Sequence, residues 1–163
     1  MRVAKRISSG LQAGLVAGGG VALFYLATDV VRLAPLETVA ALARAFLGLP
    51  ADALPPGLDI AALATTGVAV GVYSLLHFAA FGALGLLATF VVPATSFWAT
   101  LGRGGLFGGV AASLLFVGAR TVTGSPFAVE PIGVPSLLLV NAAAGVLMAM
   151  VLAVHAADGS REL

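Results

Sequence analysis

The chain has 163 residues, of which 60% are hydrophobic and only 9% are charged, and its mean hydropathy is +1.10. Soluble domains carry about 25% charged residues, so this composition excludes both a soluble globular enzyme and a disordered protein. The net charge of only +1 argues against nucleic-acid binding. The chain has no cysteine, which excludes disulfides and thiolate metal sites. We therefore expect a single-domain, all-α integral membrane protein over residues 1–163.

Four apolar segments reach or approach the length of about 20 residues that a helix needs to cross a bilayer. They lie at 8–28, 62–90, 100–120 and 135–156. The third is the shortest apolar run, and Arg103 and Arg120 at its ends can extend to the lipid headgroups. Phe97 and Trp98 precede it as interfacial aromatic residues.

The first segment begins like a signal peptide, with MRVAKR before an apolar run. Its apolar run is longer than that of a signal peptide, and no A-x-A site precedes a polar stretch. We expect it to be retained as a membrane span.

The connection after the first span contains a predicted helix at 36–47. Apolar residues recur there at helical spacing, whereas Glu37 and Arg44 lie on the opposite face; the apolar positions are Leu36, Val39, Ala43 and Phe46. Two arrangements fit this pattern: an amphipathic helix on the membrane surface, or a loop helix packed on the bundle.

Positive charges predict the orientation. With four spans and both termini in the cytoplasm, the inner segments hold Arg2, Lys5, Arg6, Arg103 and Arg161, and the outer segments hold Arg32, Arg44 and Arg120. The positive-inside rule favours this orientation.

The two halves of the chain show a faint similarity. GLVAG at 14–18 in the first span matches GLFGG at 105–109 in the third. Membrane proteins often contain such repeats, so the protein can be two parallel helical hairpins. The alternative is chance similarity in a chain rich in Gly, Ala and Leu.

Small residues four positions apart form ridges on three of the four spans. Such ridges allow close approach of helix backbones in lipid, either within the bundle or against another subunit. The ridges comprise Gly10, Gly14, Gly18 and Ala22; Gly67 and Gly71; and Gly105, Gly109 and Ser113.

His77 is the ionisable residue nearest the middle of a span, and Tyr73 and Thr66 share its helical face. A polar side chain at this depth is expected to face protein rather than lipid. The candidate roles are a haem or pigment ligand, a quinone hydrogen-bond donor or a proton relay. The structural alternative is a neutral histidine bonded to Asn141, to Tyr73 or to a backbone carbonyl, and Asn141 is the second buried polar candidate.

The charged residues near the span ends are expected to be solvated or paired, with Asp29 and Arg32 close enough to pair. His155 is predicted to lie at a different depth from His77, which argues against bis-histidine haem ligation. The sequence contains no nucleotide-binding, metalloprotease or serine-hydrolase motif. We assign no catalytic residue, no metal ligand and no particular cofactor.

The stretch VYSLLHFAAFG at 72–82, after a glycine-rich first span that ends at Asp29, resembles a set of small uncharacterised bacterial four-helix membrane proteins. The resemblance implies a four-helix fold in a prokaryotic inner membrane and assigns no activity.

Two functions follow from these features. The first is a non-catalytic accessory subunit that packs through its glycine-rich faces against other transmembrane subunits of a larger complex. The second is a membrane protein that binds a quinone, haem or pigment, or passes a solute, near Tyr73, His77 and Asn141.

Overall fold

The computed structural model describes residues 3–47, 60–92, 96–123 and 133–159, with side chains left out at 44–46, 60–65, 112, 115–123 and 158–159. These residues form five α-helices and no strand. The helices are α1 (Val3–Val31), α2 (Glu37–Leu47), α3 (Ile60–Val91), α4 (Phe97–Thr123) and α5 (Val134–Gly159). The predicted all-α class is confirmed for the described part of the chain.

Three of the helices are long and apolar enough to cross a bilayer. These segments are Val3–Val31, Thr66–Val91 and Val134–Ala157, with mean hydropathies of 1.6, 1.8 and 2.5. A helix that is apolar on all sides satisfies its own backbone hydrogen bonds and is suited to a lipid environment. The structure therefore has the helices of a multi-pass membrane protein.

The long helices lie in the order α3, α1, α5, α4. Helix α1 packs against both α3 and α5, and α4 packs against α5, whereas within the described residues α3 makes only a few contacts with α4 or α5. The small buried residues Ala13, Ala17 and Ala144 belong to the core, as does the larger Phe81. Helix α1 is consequently the central element, and its two sides face two different partners.

A tight turn joins α1 to α2. Leu33 and Leu36 both adopt the left-handed backbone region, with φ values of 58° and 69°. The amide of Ala34 donates to the carbonyl of Asp29 over 2.9 Å, which closes the end of α1. This turn directs α2 back over α1 and α3.

Helix α2 packs against α3 as well as α1. Ala43 is fully buried and lies in a small cluster with Ala69 and Tyr73 of α3. Of the predicted apolar face, Ala43 thus packs on α3, whereas Leu36 is 48% exposed and the Phe46 side chain lies outside the described part. The helix begins within one residue of the predicted start.

Arg6 connects the first turns of α1 to the end of α3. Its guanidinium donates to the carbonyl of Thr89 over 2.6 Å and stacks over the ring of Phe90 at 3.9 Å. The last carbonyls of a helix lack partners within that helix, so Arg6 satisfies one of them.

Candidate functional site

The ridge on α1 packs against α3. A Cβ atom added at Gly14 would lie against the carbonyl oxygen of Phe81 and 2.9 Å from the Cα of Gly82. A Cβ added at Gly10 would lie 2.9 Å from the Thr89 side chain. Only glycine permits this backbone approach, so the α1 ridge forms an internal helix contact.

A second close contact joins α4 to α5. A Cβ on Gly145 of α5 would meet the carbonyl oxygen of Gly104 and lie 2.8 Å from the amide of Gly108. In the α1–α3 pair, Gly85 lies in the same way against Gly10 and Gly14, so each pair places one glycine between two glycines of the facing helix.

The other predicted packing glycines lie differently. Gly105 and Gly109 border α5 more loosely, with Cβ contacts of 3.3 Å to Val146 and 4.0 Å to Ala142. The closest approach occurs one residue earlier in each case, at Gly104 and Gly108. Nothing in the described residues lies within 4 Å of a Cβ added at Gly67 or Gly71, so these two glycines do not pack within the described part of the chain.

The end of α1 is joined to α2 by a buried hydrogen-bonded pair. Asp29 and Thr38 are each only 2% exposed. The carboxylate of Asp29 accepts from the Thr38 amide over 2.9 Å and from the Thr38 hydroxyl over 2.5 Å. This pair fixes the first turn of α2 over the space between α1 and α3.

A cavity of about 200 Å³ lies in that space. Helix α1 and α3 form its walls, and α2 and the preceding turn cover it with Leu36, Thr38, Val39 and Leu42. Aliphatic and aromatic side chains form most of the lining. The polar side chains of the lining are Tyr25, Asp29, Thr38, Tyr73, Ser74 and His77.

Tyr25 has an unusual environment in this lining. Its side chain is only 9% exposed, and its hydroxyl is buried without a hydrogen-bond partner among the described residues. A buried hydroxyl without a partner costs about 1–3 kcal/mol relative to a satisfied one. Such unpaired buried groups are rare in native proteins, so the Tyr25 hydroxyl calls for a partner from outside the described residues.

His77 lies on the α3 wall of the cavity and contacts α1. Its Nε2 atom is 3.1 Å from the carbonyl oxygen of Gly18. Because a carbonyl oxygen only accepts, Nε2 carries the proton, and in the neutral ring Nδ1 keeps its lone pair. The close approach at Gly18 thus brings a backbone acceptor to the histidine.

Tyr73 and His77 share one face, as their spacing predicted, with ring centroids 5.9 Å apart. The ring of Phe81 lies on the other side of His77, at 4.7 Å. This aromatic row continues the wall of the cavity toward the Gly14 contact.

Asn141 is not part of this arrangement. Its amide donates to the carbonyl of Leu137 in its own helix over 2.9 Å, and it does not line the cavity among the described residues. His155 likewise bonds within its own helix, to the carbonyl of Val151 over 2.8 Å. The structure therefore brings Tyr73 and His77 together and places Asn141 on α5, which makes few contacts with α3 in the described part.

Sequence reasoning missed Tyr25 and Thr38. Tyr25 and Asp29 continue the buried side of α1 beyond Gly14 and Gly18 at helical spacing. Extending the glycine ridge by two turns would have indicated that both face protein. Nothing in the local sequence identifies Thr38 as the partner of Asp29, because that depends on the direction of the turn.

No family model matches the chain, and no curated protein or solved structure is significantly similar to it.

Proposed function

We propose that this protein binds a small lipid-soluble molecule in the cavity between α1, α2 and α3. The observation that carries the proposal is the buried Tyr25 hydroxyl, which lines the cavity and has no partner among the described residues. Tyr73 and His77 line the same cavity. An apolar pocket with a few convergent polar groups is typical of ligand sites.

The size of the cavity selects among the candidate ligands. An empty apolar cavity of about 150 Å³ accommodates a benzene ring, and this one measures about 200 Å³. The space therefore suits a single substituted ring, and the four linked pyrrole rings of a haem or pigment would extend outside it. The engagement of His77 Nε2 by Gly18 also disfavours axial ligation through that nitrogen.

The proposal includes a four-span arrangement. Leu106, Val110 and Leu114 form an exposed apolar stripe on α4 at helical spacing. Exposed leucines on the other long helices, such as Leu75 and Leu139, form similar surfaces. We propose that all four long helices span a prokaryotic inner membrane with cytoplasmic termini, and that α2 lies at the outer surface.

The second candidate is the accessory subunit of a larger membrane complex. The open faces at Gly67 and Gly71 support it, because nothing in the described part of the chain lies within 4 Å of a Cβ added at either glycine. A Gly71→Leu substitution is then expected to preserve folding and to abolish recovery of partner subunits in mild detergent. Purification of the wild type as a folded, solitary monomer would contradict this candidate.

The ligand-binding proposal is tested by filling the cavity. Ser74 lines it from α3, so Ser74→Phe places a ring in the space that the ligand needs. The matched control is Leu75→Phe, at a position that is 72% exposed.

Each variant is purified in mild detergent, extracted with organic solvent and analysed by mass spectrometry. We expect a single-ring lipid-soluble molecule, in stoichiometric amount, with the wild type and Leu75→Phe but not with Ser74→Phe. Equal recovery from both variants would show that the molecule binds elsewhere.

A further inference from the structure

We infer that the ligand of this cavity is a neutral ring that carries a carbonyl oxygen, and that the Tyr25 hydroxyl donates a hydrogen bond to that oxygen. The inference rests on the proposed function and names the ligand class for the same site. Quinones are lipid-soluble members of this class.

The hydrogen bonds of the lining groups single out Tyr25. Both carboxylate oxygens of Asp29 accept from Thr38. The Nε2 atom of His77 is engaged by the carbonyl of Gly18. The Tyr25 hydroxyl is the buried side-chain atom that the described residues leave without a partner. This hydroxyl is therefore the lining group that is available to donate to a ligand.

The chemistry of the hydroxyl and of the lining determines the ligand class. A phenolic O–H in an apolar environment requires an acceptor for its proton. A carbonyl oxygen accepts without bringing a donor that would itself need a partner. The apolar lining disfavours a charged ligand, and Asp29 adds repulsion against an anion. A neutral carbonyl group on an apolar ring accepts the Tyr25 proton, adds no donor and carries no charge.

His77 provides a second hydrogen-bonding group for a ring that carries a second polar atom. In the neutral imidazole, the engagement of Nε2 leaves Nδ1 as an acceptor. The lining thus includes one residue that donates and one that accepts. A quinone supplies the acceptor for the Tyr25 hydroxyl, and only its reduced hydroxyl form also supplies a donor for Nδ1.

The test compares two probes of the same shape. Duroquinone has a tetramethylated ring with two carbonyl oxygens, and durene has the same ring and methyl groups without oxygen. The chain has no cysteine, which removes thiol addition as a complication. Binding is measured by equilibrium partitioning into lipid nanodiscs that contain the protein, against empty nanodiscs of the same lipid.

Tyr25→Phe is the decisive variant because it removes only the hydroxyl. Loss of one buried hydrogen bond is expected to weaken duroquinone binding about fivefold and to leave durene binding unchanged. Leu23→Ile is the control, because Leu23 is 67% exposed and does not line this cavity among the described residues. Retained durene binding shows that the Tyr25→Phe cavity is intact.

The outcomes separate the inference from the proposed function. Stronger binding of duroquinone than of durene, lost specifically in Tyr25→Phe, supports the carbonyl ligand. Equal binding of the two probes, unaffected by Tyr25→Phe but blocked by Ser74→Phe, overturns the carbonyl ligand and leaves the ligand-binding function standing. No excess of either probe over empty nanodiscs overturns both.

Discussion

Replacement of Gly14 by alanine is expected to destabilise the helix pair α1–α3. The new Cβ would lie 2.7 Å from the carbonyl carbon of Phe81, whereas carbon atoms pack best at about 3.5–4.0 Å. The two backbones must therefore separate by at least about 0.8 Å, because the carbonyl oxygen of Phe81 lies closer still, and such a gap forfeits about a quarter to a half of each dispersion contact. Overpacking of this kind costs about 1–3 kcal/mol. Gly14→Leu is expected to cost more, because its side chain has no space to enter.

Gly19→Ala is the matched control on the same helix. Nothing in the described residues lies within 4 Å of its added Cβ, so alanine should be neutral or stabilising by up to about 1 kcal/mol through helix propensity. The half-exposed Leu15 should similarly tolerate isoleucine. The assay is reversible unfolding in mixed micelles, with membrane insertion checked separately. Equal unfolding free energies for Gly14→Ala and Gly19→Ala would refute the close α1–α3 contact.

Two further substitutions test other contacts of the fold. Gly145→Ala should destabilise the α4–α5 pair by about 1–3 kcal/mol in the same assay, because its Cβ would meet the α4 backbone. Gly102→Ala is the control and should not destabilise the pair, because nothing among the described residues lies within 4 Å of its Cβ. Thr38→Val removes a donor from the buried carboxylate of Asp29 and should cost about 1–3 kcal/mol and speed hydrogen exchange in α2. Thr28→Val, which removes only a bond within α1, is its control, and identical α2 exchange in the two variants would contradict the role of the Asp29 pair.

The sequence predicted the helices well because long apolar runs between charges and breakers are a local property. The helix predicted at 62–90 is observed as Ile60–Val91, and the one predicted at 135–156 as Val134–Gly159. Whether α4 is a fourth span remains a prediction. The helix boundaries can therefore be predicted without knowing which helices pack against each other.

The contacts between helices were harder to predict. A ridge on one helix indicates close packing but not the partner, so the α1 ridge fitted an internal contact and a subunit contact equally well. On α4, two neighbouring glycine ridges differ by one residue, which rotates the packing face by about 100°. The sequence favoured Gly105 and Gly109, whereas the closest approach is at Gly104 and Gly108.

The candidate site was predicted only in part. Tyr73 and His77 share a face of one helix, so their spacing was sufficient to bring them together. The sequence groups Asn141 with them as a polar residue within a span, but Asn141 belongs to a helix that packs mainly on α1 and α4. Tyr25 depends on the packing of three helices, which the local pattern does not contain.

The most direct test of the ligand site is a crystal structure of the protein grown in a lipid mesophase with duroquinone. We predict ring density in the cavity between α1, α2 and α3, with one carbonyl oxygen at about 2.7–2.8 Å from the Tyr25 hydroxyl oxygen. A cavity filled by the protein's own side chains, with the Tyr25 hydroxyl bonded to a protein atom and the ring bound elsewhere, would contradict the account.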